Sequence, residues 1–512
     1  MMSITSVPRQ LLPILLAAVL LVPQVSAANS TAVHITDIAW EPEGQIGRVL
    51  IQLDGPVAYR TEASSSSIVV DLWQARHAQW RLPAVTHPYV RSVRINQLTD
   101  DLARVRIDLL RPARYKTFLR EDTHQLIIVV IPPWMATSPL PTSVAYDRQR
   151  VRTGTGATTA HVLLVNPADP TLEIRPALAA DMVSGFETTS VIATRYEALA
   201  GVNGGYFGTS SGMPLGMVVI DGQLMTTPTD RRSVFVITRD GKPAIVPFEF
   251  TGRVVTAYHT SLWVSGVNHP PHAGGLAVYT RFYGPLTPPL QMAAVVRNDV
   301  VEHLTTGRIL IPQDGYVLGV DAGDTDLITK FVKVGARLWL HLDLWPDLEI
   351  TSAVGGGPRL VKDGQVFVPF AWEWFSLRHV QERAPRTAVG ITAGNKVLLV
   401  TVDGRGGRLN TGMTLREMAE LMVQLGARDA MNLDGGSSAT MVVGGRVVND
   451  PSDGFERPIA SALLVVHRAD AVNLAGQMTT ARTRPLNPPA RNWDLDDLDP
   501  DPQNTPRSYP SQ

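Results

Sequence analysis

Asn432-Leu433-Asp434-Gly435-Gly436-Ser437-Ser438 decides how the rest of the chain is read. Upstream, Leu415, Met418, Ala419, Met422 and Leu425 recur at helical spacing, which predicts a helix over Thr414–Leu425 with one apolar face. Thr414 and Glu417 stand three apart, the spacing of a capping box, and Gly426 supplies a stop. Ala430 to Leu433 reads as a short buried strand. Downstream, two short apolar runs flank Gly444-Gly445, a hairpin signal. Asp434 therefore stands where a strand ends against two glycines, with bare backbone beside it for a ligand to approach.

A second stretch has the same order. Thr189 to Leu199 is predicted as a helix ending at Gly201, and Val202-Asn203 then runs into Gly204-Gly205-Tyr206-Phe207. Two such turns predict two rims facing one pocket. Gly355-Gly356-Gly357-Pro358 adds a third glycine-dense turn. Arg386, at the head of an apolar run, and Arg405, after Val402-Asp403-Gly404, are cations able to clamp a phosphate. Strands ending in Asp-Gly, Asn-Gly-Gly and Asp-Gly-Gly, with two arginines, describe a site for a polar, anionic substrate.

The 512 residues suffice for two or three domains. The net charge of -1 and the scattered Lys and Arg give no footprint for nucleic acid. The chain has no cysteine, which removes disulfides, thiolate chemistry and cysteine-held metals. At the N-terminus Arg9 precedes an apolar run from Leu11 to Val22, and Val25-Ser26-Ala27 offers a cleavage site. Residues 1–28 thus read as a secretory signal, too short to span a membrane, which leaves no transmembrane anchor once it is cleaved. Residues 475–512, rich in Pro, Thr, Asn and Asp, read as a disordered tail.

Residues 33–132 read as strands and turns with no helical face, a small all-β sandwich. Residues 133–149, opening with clustered prolines, read as a linker, and 150–468 as a mixed α+β catalytic domain. The sandwich resembles the AMIN domain through Val33–Ile38, Val49–Leu53, Ser67–Leu72, Val93–Gln97, Arg104–Leu109 and Leu126–Val130. That likeness implies targeting to cell-wall peptidoglycan.

The second domain resembles the phosphodiester glycosidase family. The matching stretches are VNGGYF at 202–207, GGGPRLVKDG at 355–364, PRTAVGI at 385–391, VDGR at 402–405, the run at 412–443, and PSDGFERPIASALLV at 451–465. The segment from Thr209 to Val354 matches more loosely and is left to set the substrate. The resemblance implies an alpha-N-acetylglucosaminidase-like hydrolase acting on the sugar side of a sugar-phosphodiester bond, in a secreted, periplasmic or envelope setting. Carried over by position, it places Asp434, Asp403 and Arg386 in the family's pocket, and the chemistry makes these three the catalytic candidates. It implies Asn203, Gly204, Gly205, Asn432, Gly435, Gly436 and Ser437 in the pocket, joined by Arg405.

Glycosidic cleavage ordinarily uses two carboxylates, and Asp403 and Asp434 are the candidates, with their roles undivided. Ser437 or Ser438 as nucleophile is the weaker alternative. No cofactor is expected. His341 and Asp343, two apart on one strand face, are the residues weighed as metal ligands, and calcium beside Asp434 stays open. His259, His269, His272, His303 and His379 read as surface or packing residues. The rival function is a non-catalytic envelope protein that holds a glycan or sugar phosphate without cleaving it. A cell-wall amidase is disfavoured for want of a zinc-ligand cluster.

Overall fold

The computed structural model describes residues 33–468 apart from 44–45, 65, 78–84, 112, 121–122, 132–139, 272–274 and 321–324. The expected signal segment 1–28 and tail 475–512 lie outside the described residues. So does most of the proline-rich start of 133–149, while the end of that stretch is strand, not connector: Val144–Thr153 pairs with Gly156–Val165 along its whole length. Alternating side chains give that strand a partner and a half-buried face, which outweighs its neighbouring prolines.

The N-terminal unit is a sandwich of a five-stranded and a four-stranded sheet. Ile46–Leu53 and Leu102–Leu109 alternate half-buried and buried residues without a break. That two-residue period turns Val49, Ile51, Val105 and Ile107 into one core with Ile68, Val70, Leu126 and Ile128.

The larger domain is mostly strand with few helices. Its central sheet is antiparallel throughout, in the order Val144–Thr153, Gly156–Val165, Val397–Val402, Arg386–Thr392, Ala427–Asn432, Arg359–Lys362, Gln365–Val366. One face is covered by the helix Leu415–Gln424, whose Leu415, Met418, Ala419 and Met422 pack on Val162, Leu398, Val400 and Ala430. Each Leu or Met buried in this way contributes about 1.5–3 kcal/mol. The other face packs on a second sheet of Leu172–Leu178, Ser461–His467, Ala200–Asn203, Met441–Val443 and Arg446–Val447. Two further sheets follow. One of them, seven-stranded, includes Ser261–Val267, Glu249–Thr256 and Leu338–Trp345 and has its own core.

The expected capping box is present. Thr414 Oγ1 accepts from Glu417 N at 3.2 Å, and Glu417 Oε2 accepts from Thr414 N at 2.9 Å. Gly426 stops the helix at φ +85°. Replacing Thr414 by Ala is expected to lower stability by about 1 kcal/mol in urea denaturation. An unchanged midpoint would show that the cap does not hold the helix. The first predicted helix is shorter than expected. Thr189–Arg195 ends at Tyr196, because Glu197 turns to φ +49° and Ala200 already belongs to a strand.

That short helix is also where the sandwich docks. Val191 packs against the sandwich core, and the buried Tyr115 hydroxyl donates to Glu187. Glu187 Oε2 accepts from Arg195 Nη2 at 2.5 Å and from Ala180 N at 2.7 Å. No helix among the described residues is long and apolar enough to cross a membrane.

Candidate active site

Register brings the predicted residues to one sheet edge. Arg386 opens its strand and pairs with Val402, the last residue of one neighbour; Ala388 pairs with Asn432, the last residue of the other. Asp403 and Asp434 therefore leave the sheet where Arg386 enters it. The second sheet delivers Asn203 to the same place: Asp434 N donates to Gly204 O at 3.2 Å, and Gly204 N to Ser461 O at 2.7 Å. The two glycine turns do meet. Their glycines are required by closeness. A Cβ on Gly205 would stand 2.1 Å from Gly355 O, and one on Gly435 2.8 Å from Pro385 O.

Asp434 is half-buried at this edge. Its Oδ1 accepts from Gly435 N at 3.0 Å. Burial pushes its carboxyl up to about 6, against the opposing pull of the Ser438 hydroxyl, the Gly435 amide and the charge of Arg457. The Ser438 hydroxyl is itself buried and reaches no partner at full hydrogen-bond geometry.

The other predicted residues are placed differently. Asn203 is fully buried and spent on the protein. Its Nδ2 donates to Asp434 O at 2.7 Å, and its Oδ1 accepts from Thr387 Oγ1 at 2.7 Å and Thr440 N at 3.2 Å. Asn432, also fully buried, donates through Nδ2 to the Tyr206 hydroxyl at 2.8 Å, while its Oδ1 has no partner. Arg386 is 2% exposed and points to carbonyls: Nε to Met413 O at 2.9 Å, Nη2 to His379 O at 3.1 Å and Glu382 O at 2.5 Å. Ser437 Oγ donates to Asp453 Oδ1 at 2.7 Å and accepts from Arg405 Nη1 at 3.1 Å. Gly436 turns at φ +61° beside the Arg405 guanidinium.

Asp403 is more deeply placed than Asp434. It is 2% exposed, with Oδ1 accepting from Asp450 N at 2.9 Å and Oδ2 lying 3.5 Å from His161 Nε2. His161 Nδ1 meets the Tyr146 hydroxyl at 2.8 Å. His161 shares its sheet face with Leu163, toward the second sheet, whereas Arg386 shares its face with Ala388, toward the helix. The two-residue period thus sends Arg386 and Asp403 to opposite faces. Their backbones converge, but only Asp434 offers an open carboxylate.

The structure adds residues the sequence reading passed over. The Tyr206 hydroxyl donates to Gly357 O at 2.9 Å and lies 3.1 Å from His379 Nε2. His379, expected as a surface or packing residue, is half-buried in the site wall, and burial, then the Arg386 charge, brings its imidazole down to about 4. Arg232 lies over the Phe375 ring at 4.5 Å and the Tyr206 ring at 5.9 Å, with its Nε buried and unpartnered. Glu373, almost fully buried, holds Ser233 N at 2.9 Å and Arg359 N at 2.7 Å, which fixes the third glycine turn. Tyr206 and Arg457 were within reach, since both lie in stretches that carried the resemblance. Nothing local marks His379 or Arg232.

Among the described residues none of Arg232, Arg386, Arg405 and Arg457 is ion-paired. Burial and then, opposing it, Tyr206 and Glu382 act on Arg386; the like charge of Arg405 joins burial in holding its pKa below the usual arginine value. Asp434, part-buried, thus stands among guanidiniums that lack ion-pair partners among the described residues. Among the described residues no three His, Asp or Glu side chains gather as a metal-ligand set, and His341 and Asp343 lie on the outer seven-stranded sheet.

Comparison with known proteins agrees with this architecture. Residues 291–466 match the family model described as phosphodiester glycosidase, and residues 37–130 match that of the AMIN domain. The mouse N-acetylglucosamine-1-phosphodiester alpha-N-acetylglucosaminidase is 27% identical over 224 residues, 40% of this chain and 43% of that protein. The SPbeta prophage-derived uncharacterized protein YomE of Bacillus subtilis is 33% identical over 114 residues, 22% of this chain and 17% of that one. The chain thus spans less than half the length of either relative. The crystal structure of a hypothetical protein from Synechocystis covers 85% of this chain and 81% of its own, with a TM-score of 0.58 and 22% identity, a likeness of fold. Residues 291–466 of the protein are thus similar to the phosphodiester glycosidase family, and they stand behind a segment at 37–130 that is similar to the AMIN domain.

Proposed function

We propose that the protein is a hydrolase that cleaves a sugar phosphodiester on its sugar side, in an envelope or extracellular glycan, with Asp434 as the catalytic carboxylate. The observation that supports this most is the setting of Asp434: a part-buried acid, its carboxyl raised by burial, among guanidiniums that have no ion-pair partner among the described residues. A phosphodiester brings the negative charge those cations lack. The sandwich is proposed to hold the enzyme on peptidoglycan, and residues 1–28 to direct secretion.

Ionised Asp434 takes a proton from water, whose oxygen attacks the anomeric carbon. The bond from that carbon to the phosphate oxygen breaks, and its electron pair leaves on the phosphate. A phosphate is stable as an anion, so the guanidinium field takes the place of a second carboxyl acting as acid. Arg405 and Arg457 face the Asp434 turn, and Arg232 lies on the Tyr206 side. Arg386 holds the loop carbonyls and adds its charge from behind. Asp403 fixes the 450 loop through Asp450 N, and Asn203 fixes the Asp434 turn.

Purified protein incubated with a panel of sugar phosphodiesters is expected to release reducing sugar. Release from no member would favour a binding protein. Because the base must be ionised, kcat/KM is expected to fall as pH drops through about 6. A profile flat between pH 5 and about 8 would remove Asp434 from the role.

A further inference from the structure

The outer sheet exposes three tryptophans on one face. Trp263 is 51% exposed, Trp339 45% and Trp345 49%. Register places them together: Arg253 pairs with both Trp263 and His341, Val255 pairs with Trp339, and Glu249 pairs with Trp345. Directly paired residues share a face. The opposite face carries Val254, Leu262, Val264 and Leu338 into the core of that sheet, so the tryptophans are on the solvent side. Trp339 and Trp345 are six residues apart on one strand, about 20 Å. Trp263 lies two strands across, about 10 Å from their strand and level with His341 between the two. Exposed indoles in such number are uncommon on a surface without a partner.

Polar side chains stand between the rings. Glu249, Thr251, Arg253 and Asp343 are exposed on the same face, and Arg253 and Asp343 have no ion-pair partner among the described residues. This mixture selects the occupant. A dry protein interface would bury those charges unpaired at its centre, where interfaces are depleted of charge. An anionic membrane or a polyphosphate needs a cationic face, and here two acids stand against Arg253 and His341. A saccharide chain suits both features. Its C–H faces carry slight positive charge and stack on the negative faces of indole rings, while its hydroxyls hydrogen-bond to the interleaved polar groups.

We propose that the face bearing Trp263, Trp339 and Trp345 is a glycan-binding platform that lays an uncharged polysaccharide chain along strand Leu338–Trp345, several sugars long and apart from the Asp434 site. The chain is long because the outer rings are too far apart for one sugar. It is uncharged because the face, with Glu249 and Asp343 beside Arg253, has no excess of cations for an anionic chain.

The test is retention of the full chain on insoluble chitin and on cellulose. The protein is expected to be retained by at least one, undiminished in high salt. Each single Trp→Ala substitution is expected to weaken binding about 10-fold, with Trp→Tyr restoring most of it. The triple Ala variant is expected to lose retention while keeping its circular dichroism and its release of sugar from a small soluble phosphodiester. Asp434→Asn is expected to be retained like the parent, so the platform is judged separately from hydrolysis. Failure of the parent to bind either polysaccharide would overturn the proposal. So would full retention of a folded triple variant, loss of retention in salt, or a triple variant that instead loses self-association or binding to phosphatidylglycerol vesicles.

Discussion

Asp434→Asn is expected to lower kcat by at least about 100-fold, the low end of what a positioned acid–base group supplies, with KM for the same sugar phosphodiester little changed. The amide keeps the shape of the carboxylate and can still accept from Gly435 N. Steady-state rates of reducing-sugar release measure the effect. A variant within tenfold of the parent would mean that another group does the work. A second measurement separates loss of chemistry from loss of fold. Burial lifts the Asp434 carboxyl from 3.8 to about 6, so folding favours its neutral form. Between those values stability falls as pH rises, and above about 6 the folded protein carries the whole cost of the ionised group. Asn carries no such charge. The variant is therefore expected to melt above the parent well above pH 6, and alongside it below about pH 4, where both side chains are neutral. An inactive variant that melts lower at neutral pH would point to a broken fold instead.

Asn203→Leu is expected to cost about 3 kcal/mol or more in chemical denaturation, because it strands Asp434 O, Thr387 Oγ1 and Thr440 N inside the protein. The side chain is nearly isosteric, so the loss reads hydrogen bonds and not volume. Asn203 ties three segments at one point: its own strand end, the Arg386 strand and the Asp434 turn. Activity is expected to disappear with the fold, and not through KM. A stable variant that binds substrate poorly would return Asn203 to the pocket, where the sequence alone had put it.

Much of the frame was legible because periods are local. The Thr414 cap, the helix after it and the Gly444-Gly445 hairpin follow from spacing within a few residues, and all three are present. The convergence of the glycine turns was legible as a repeated order. Side-chain direction at a strand end was not. Whether Asp403 joins Asp434 or retreats to His161 depends on how strand Val397–Val402 registers against Gly156–Val165, a pairing across more than 200 residues. The saturation of Asn203 was hidden for the same reason, since its partners come from elements far away in sequence. Arg232 and His379 reach the site through contacts with Phe375 and Tyr206 that are remote in sequence. A motif records which residues a site employs, not which of them it leaves open.

The docking of the sandwich carries a consequence for any attempt to trade it for another module. Glu187 takes the Tyr115 hydroxyl from the sandwich, and its backbone pairs in both directions with Ile459, two residues beyond Arg457. Nearby, Glu456 accepts from Ser190 N at 2.9 Å. A chimera lacking Tyr115 would leave Glu187 Oε1 without its donor, though Oε2 keeps Arg195 and Ala180 N, at the root of the segment that bears Arg457. A grafted module would thus have to supply a phenol at that point, or be matched by a redesigned residue 187, before the larger domain could be judged on its own merits.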